Sequence, residues 1–138
     1  MNDHLVSADD HIALTRLVTE LVWRIDHGRA DEVDELFTND GEMTLGPTSL
    51  HGRSELKEWG RARNGSSSRT HHVCTNMRFV SAGDGLAEGT TIFTVYQAAT
   101  ADTNQTIPAA VGEYQDRFVR TTESWRFVSR RGALTFTR

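Results

Sequence analysis

The sequence predicts an α+β fold. The expected form is a cone-shaped α+β barrel, with a strongly curved mixed or antiparallel sheet. Three helices from the N-terminal half pack on its concave side and enclose a cavity. Three observations carry this reading. Leu14, Leu17, Val18, Leu21 and Ile25 recur three and four residues apart, one stripe of a 3.6-period helix. From Thr70 onward the period becomes two, in runs rich in Thr, Val, Phe, Tyr and Trp. Helices first and strands last is the order of an α+β chain, not of an alternating parallel sheet.

The first helix is predicted from about Ala8 to His27. Ser7 and Asp10 fit a capping box with Asp in place of Glu or Gln, and Gly28 stops the helix as a left-handed cap. A short second helix follows from Ala30 to Phe37, with Val33, Leu36 and Phe37 on its buried edge and Asp31 and Glu32 in its first turn. Asn39-Asp40-Gly41 has turn chemistry. Glu42 to Gly46 reads as a short strand and Pro47 to Gly52 as irregular. Ser54 caps a third helix through about Arg63, with Leu56 and Trp59 inward. Asn64 to Ser68 is a Gly/Ser-rich loop. Four long strands then cover Thr70–Ser81, Leu86–Thr100, Ala109–Thr121 and Trp125–Thr137. Gly83-Asp84-Gly85 and Thr122-Glu123-Ser124 turn the hairpins, and a longer Ala101–Pro108 connection crosses an end of the sheet. Strands this long curl, and Gly89, Gly112 and Gly132 mark places where a bulge or bend is cheap.

Composition narrows the classes. A chain of 138 residues suits one domain, 1–138, with a core that needs no disulfide or metal staple. Leu, Ile, Val and Phe make up about 22% of it, just above the roughly 20% below which disorder is the default. A net charge of −4 does not hold the chain open. No apolar run reaches the length of a membrane span, and the polar, acidic start is unlike a signal peptide. The single Cys74 fits a reducing cytoplasm. A pI near 5.8 without a basic run argues against nucleic acid as partner. Lys57 is the sole lysine among 15 basic residues, which reflects a GC-rich coding bias better than phosphate recognition.

Three stretches are distinctive as a set. They are Ile25-Asp26-His27-Gly28 with Asp31, Leu36-Phe37 and Asp40-Gly41; Thr70-His71-His72-Val73-Cys74-Thr75-Asn76; and Gly112-Glu113-Tyr114-Gln115-Asp116-Arg117-Phe118 ending in Trp125-Arg126-Phe127 and Arg130. In this order the chain resembles the SnoaL-like branch of the nuclear-transport-factor-2-like superfamily. That superfamily includes scytalone dehydratase, ketosteroid isomerase, polyketide cyclases, limonene epoxide hydrolase and the small subunits of ring-hydroxylating dioxygenases. The resemblance spans nearly the whole chain and implies the cavity-bearing fold; it does not fix the reaction. It places Asp26 where the dehydratase branch has an aspartate near the end of helix one. His72 falls where that branch has a histidine opening the first long strand. The tyrosine that precedes the aspartate there is Ile25 here, and no His here matches the branch's second histidine.

Read from the residues alone, Asp26 has two roles open to it. It is a cavity-facing general base whose pKa is raised by desolvation, or it caps and ion-pairs at the Gly28 turn. His71 and His72 point to opposite faces of a strand, and alternation does not choose between them. His72 shares its face with Cys74 and Asn76; the family register favours His72. Tyr114 and Asp116 share a face with Phe118. They either bind a substrate oxygen and orient His72, or lie outside and pair with an Arg such as Arg130. Trp23 and Trp59 pack at the core or rim, or line the cavity with Asn76 for a flat polycyclic or phenolic ligand. No metal spacing exists, and a Cys74–His72 nucleophilic pair lacks a local orienting acid.

The resulting expectation is a small, cofactor-independent enzyme of dehydratase, cyclase or isomerase type. Asp26 and His72 are its acid–base pair, and Tyr114, Asp116, Trp59, Trp23 and Asn76 position a hydrophobic cyclic, polyketide- or steroid-like substrate. The alternatives are a non-catalytic ligand-binding or protein-interaction member of the fold, or a small structural subunit of a dioxygenase. The resemblance also implies a homo-oligomer, a dimer or trimer.

Overall fold

The computed structural model describes residues 4–98 and 107–137. Helix α1 runs Ala8–Asp26, a 3-10 helix Ala30–Leu36 and helix α2 Gly52–Asn64. The strands are β1 Phe37–Leu45, β2 Thr48–His51, β3 Arg69–Gly83, β4 Leu86–Ala98, β5 Ala110–Arg120 and β6 Trp125–Thr137. They form one six-stranded sheet in the order β2-β1-β6-β5-β4-β3. Every neighbouring pair is antiparallel except β1 with β6, so the sheet is mixed. It curves without closing, and β2 and β3 are its edges. Much of the Ala101–Pro108 connection, and the end of the strand expected to reach Thr100, lie outside the described residues. Among the described residues no helix is long and apolar enough to cross a membrane.

Helix α1 forms as its stripe dictates: Leu14, Leu17, Val18, Leu21 and Ile25 are all buried. Ser7 Oγ accepts from the Asp10 amide at 3.2 Å. The Asp10 carboxylate does not reach back to complete the box; it accepts from Trp125 Nε1 at 3.2 Å and so ties the helix to β6. At the other end Gly28 takes φ +76°, and the Arg29 amide donates to the Arg24 carbonyl at 2.8 Å. That is a Schellman stop, and it ends the helix at Asp26.

Three local expectations are corrected. Asn39-Asp40-Gly41 does not end a segment: β1 already starts at Phe37, and the turn residues are absorbed as an irregularity in its pairing with β6. The stretch after Pro47 is not irregular, because Gly46, at φ +56°, and Pro47 form a two-residue hairpin loop from β1 into β2. Ser54 does not cap α2. His51 does, and Glu55 Oε1 accepts its backbone amide at 3.1 Å.

The core is a ladder of phenylalanines across the inner face of the sheet. Phe37 lies 5.0 Å from Phe127, Phe127 5.1 Å from Phe118, and Phe118 5.7 Å from Phe79. All four are fully buried, which favours folding by roughly 1.5–3 kcal/mol per side chain. Strand β4 separates Phe118 from Phe79, and it presents Gly89 between them. A Cβ there would stand 2.5 Å from the Phe79 ring and 3.1 Å from that of Phe118. Gly89 therefore serves this close approach, not a bend. The bulges fall elsewhere, one of them at Thr75–Arg78 on β3. Gly89→Ala is expected to overpack this contact and cost about 1–3 kcal/mol, read as a lowered denaturant midpoint; an unchanged midpoint contradicts the ladder.

Candidate active site

Asp26 is the last residue of α1, and its side chain is only 6% exposed. Three donors from the start of β3 converge on it. Thr70 Oγ1 donates to Oδ1 at 2.7 Å, the His72 backbone amide donates to Oδ2 at 2.8 Å, and His72 Nδ1 lies 2.7 Å from Oδ1. Burial by itself raises the carboxyl pKa. The hydrogen bonds and charge of His72, with the Thr70 hydroxyl, outweigh burial and hold Asp26 below its ordinary value. The expectation of a carboxylate raised by desolvation is thus corrected: Asp26 stays ionised and accepts. An ionised carboxylate has no proton to give, so Nδ1 of His72 carries the hydrogen, and in the neutral form of the ring Nε2 is the acceptor.

Alternation along β3 settles which histidine points inward. His71 and Val73 are exposed, while Thr70, His72 and Cys74 are partly buried. The face then changes. Between Thr75 and Arg78 the register slips, and Asn76 sits in the left-handed region at φ 53°. This bulge moves Asn76 to solvent and turns Met77 and Phe79 inward. Asn76 therefore does not share the His72 wall.

His72 opens onto a cavity of about 190 Å³. Its apolar lining is Leu21, Ile25, Met43, Leu45, Trp59 and Val95. Its polar lining is Arg63, Thr70, His72, Gln97, Tyr114 and Arg130. Trp59 and Tyr114 both line this cavity. Trp23 does not: it is 41% exposed on the far side of α1, stacked on His27 at 4.3 Å.

Asp116 lies on the inner face with Tyr114 and Phe118, yet it does not line the cavity near His72. Arg130 Nε and Nη2 donate to its two oxygens at 2.8 Å each, with both side chains buried. So the inner placement and the Arg130 pairing, posed as alternatives, hold together. The bidentate pair engages Nε and Nη2, and the guanidinium of Arg130, which lines the cavity, stacks 3.8 Å from the Tyr114 ring centre. Burial would lower the Arg130 pKa; the charge and hydrogen bonds of Asp116 raise it above the ordinary value. Burial also raises the Tyr114 phenol, which stays a donor, and pushes the Cys74 thiol up to about 11. Cys74 is a protonated thiol here and not an activated nucleophile.

Arg63 and Arg130 are site residues that sequence reasoning did not assign. Arg63, in the last turn of α2, had no motif. Arg130 was hidden by a second register slip, on β6 opposite Arg117 and Phe118. Strict alternation from Trp125 and Phe127 puts Arg130 outside; the slip turns it in. Among the described residues no three His, Cys, Asp or Glu side chains converge as metal ligands. A larger depression, about 480 Å³, lies on the opposite face of the sheet among Arg78, Glu88, Gln115 and Arg117, remote from the Asp26–His72 pair.

The lowered Asp26 pKa has a consequence for acid stability. Its contribution is complete above the ordinary carboxylate value and is lost as pH falls through the lower folded value. The stability difference between wild type and Asp26→Asn should close as pH falls below about 4, measured by denaturant unfolding across pH. A difference that persists unchanged at pH 2 contradicts an ionised, hydrogen-bonded Asp26.

Comparison with known proteins fits this architecture. The chain is similar in structure to Rv3472 of Mycobacterium tuberculosis, a protein of unknown function, at 24% identity and TM-score 0.79, over 93% of this chain and 77% of that one. It is similar to Aln2 from a Streptomyces species at 20% identity and TM-score 0.80, over 94% and 93%. It is also similar to ActVI-ORFA of Streptomyces coelicolor at 17% identity and TM-score 0.78, over 91% and 96%. At such identities the likeness shows the fold. No curated protein matches the sequence. The sequence profile of the SnoaL-like domain matches residues 6–131, and the chain therefore belongs to the SnoaL-like domain family.

Proposed function

We propose that this chain is a lyase or isomerase that moves a proton on a small, mostly apolar carbonyl compound, with His72 as the general base. The observation that carries the reading is the 2.7 Å Asp26–His72 contact behind a cavity wall. Asp26 fixes the imidazole and stabilises the imidazolium that forms when Nε2 takes a proton, while itself staying ionised. Nε2 removes a proton from the carbon next to the carbonyl. The electron pair moves to the carbonyl oxygen, where the Arg130 guanidinium and the Tyr114 hydroxyl meet the developing charge. The proton on Nε2 then returns to another carbon, as in an isomerase, or leaves with a hydroxyl group as water, as in a dehydratase. Asp116 acts one step back, by holding Arg130.

Cavity size limits the substrate. About 190 Å³ is below the roughly 300–1,000 Å³ of drug-sized pockets, so a one-ring phenolic or alicyclic ketone suits it better than a steroid. Leu21, Ile25, Met43 and Val95 supply the dry wall that strengthens the polar contacts. The alternative is a ligand carrier, favoured by Ile25 standing where the dehydratase branch has a tyrosine donor.

Incubation with a panel of one-ring enolisable ketones in D2O, read by NMR, tests the reading. Wild type should accelerate exchange beside the carbonyl. His72→Ala and Asp26→Asn should each lower that rate by about 10² or more, and Arg130→Met by a similar factor. Equal exchange by wild type and His72→Ala overturns it. A ligand that binds and is returned unexchanged supports the carrier.

A further inference from the structure

The Asp26–His72 pair is the end of a longer chain of hydrogen bonds. Arg63 Nη2 donates to Thr70 Oγ1 at 2.8 Å, and Thr70 Oγ1 donates to Asp26 Oδ1 at 2.7 Å. The direction is fixed by chemistry. A guanidinium N–H only donates, so it occupies a lone pair of the Thr70 hydroxyl. The hydroxyl proton is then directed to the carboxylate, which only accepts. Oδ1 of Asp26 is the shared acceptor: Thr70 and His72 Nδ1 both bond to this one oxygen. What Thr70 draws from Oδ1 is not available to His72.

The anchoring of Arg63 suits such a role. It stands in the last turn of α2, where a cation complements the helix dipole, and its Nη1 donates to the Ser68 carbonyl at 3.2 Å. It thereby bridges the loop between α2 and β3 and faces the cavity.

We infer that Arg63 is a positioning residue that acts on His72 through Thr70 and Asp26, drawing charge off the carboxylate and so weakening the hold of Asp26 on the imidazole proton. This rests on the Asp26–His72 reading of the site. The benefit is a base that is unprotonated when it must accept a proton. Asp26 with no competing donor would keep the imidazole protonated more readily. The charged and titratable groups around the pair are Asp26 on α1, Arg63 on α2, Cys74 on β3, Tyr114 and Asp116 on β5 and Arg130 on β6. Of these, only Arg63 reaches the Asp26 carboxylate through the Thr70 hydroxyl.

The test is an NMR titration of the His72 ring resonances, beside the pH profile of ketone exchange. Arg63→Met removes a nearby positive charge and the donor to Thr70. Thr70→Val removes the competing donor on Oδ1. Both should move the His72 midpoint, and the acid limb of the exchange profile, to higher pH, with a threefold to tenfold gain in proton affinity. Thr70→Ser keeps the hydroxyl and should titrate as wild type. Arg63→Gln keeps an amide donor without the charge; it should shift in the same direction and serves if Arg63→Met does not fold. A midpoint that stays at the wild-type value in the Arg63 variants overturns the inference, and so does one that stays there in Thr70→Val, because a shift confined to the Arg63 variants is the direct field of the lost charge. If the midpoints move but no ketone exchanges, the relay stands and the proposed reaction fails.

Discussion

The Asp26 carboxylate is the contact on which the site depends. A carboxylate at the C-terminus of a helix faces the negative end of the dipole and is disfavoured there. Three donors from the first residues of β3 offset that cost. The exchange binds the end of α1 to an edge strand of an open sheet, where β3 has a neighbour on one side only. The Schellman stop at Gly28 keeps the helix from running past the point of contact. Helix stop, buried acid and strand start are therefore one unit, and His72 takes its orientation from it.

A second buried acid repeats the arrangement across the cavity. Asp116 is to Arg130 what Asp26 is to His72: each carboxylate sits one hydrogen bond behind a nitrogen-bearing side chain that faces the ligand space. A buried charge without a partner would be costly, so each acid comes with its own. Under the proposed chemistry the two wall groups divide the work. The imidazole receives a proton, and the guanidinium with Tyr114 meets the charge left on oxygen. Charge separates across the cavity during the reaction while both carboxylates stay ionised.

The family resemblance singled out Asp26 and His72, and Tyr114 was left between two faces; sequence pattern itself revealed the helices and the long strands, because each obeys a strict period. It failed where a strand gains a residue. Asn76 was assigned to the His72 wall by alternation, and the bulge at Thr75–Arg78 removed it. Arg130 was read only as the partner that Tyr114 and Asp116 would have on an outer face, and the slip beside Phe127 turns it inward with them. Alternation is blind to bulges, and bulges re-aim side chains next to sites. Trp23 failed for another reason: it follows Val22 on the helix, just off the apolar stripe, and aromatic character alone does not bury a side chain. The lean apolar content is accounted for by the phenylalanine ladder, which concentrates the core, and by Arg130, Asp116 and Tyr114, which fill interior positions that aliphatic residues would otherwise hold.

The central claim is that Asp26 and His72 act as a unit. A double-mutant cycle of Asp26→Ala and His72→Ala on unfolding free energy at pH 7 tests it most directly. The account predicts a coupling of about 1.5–3 kcal/mol, the range for a hydrogen bond to a charged group, with the double variant less destabilised than the sum of the singles. Additive losses would contradict it.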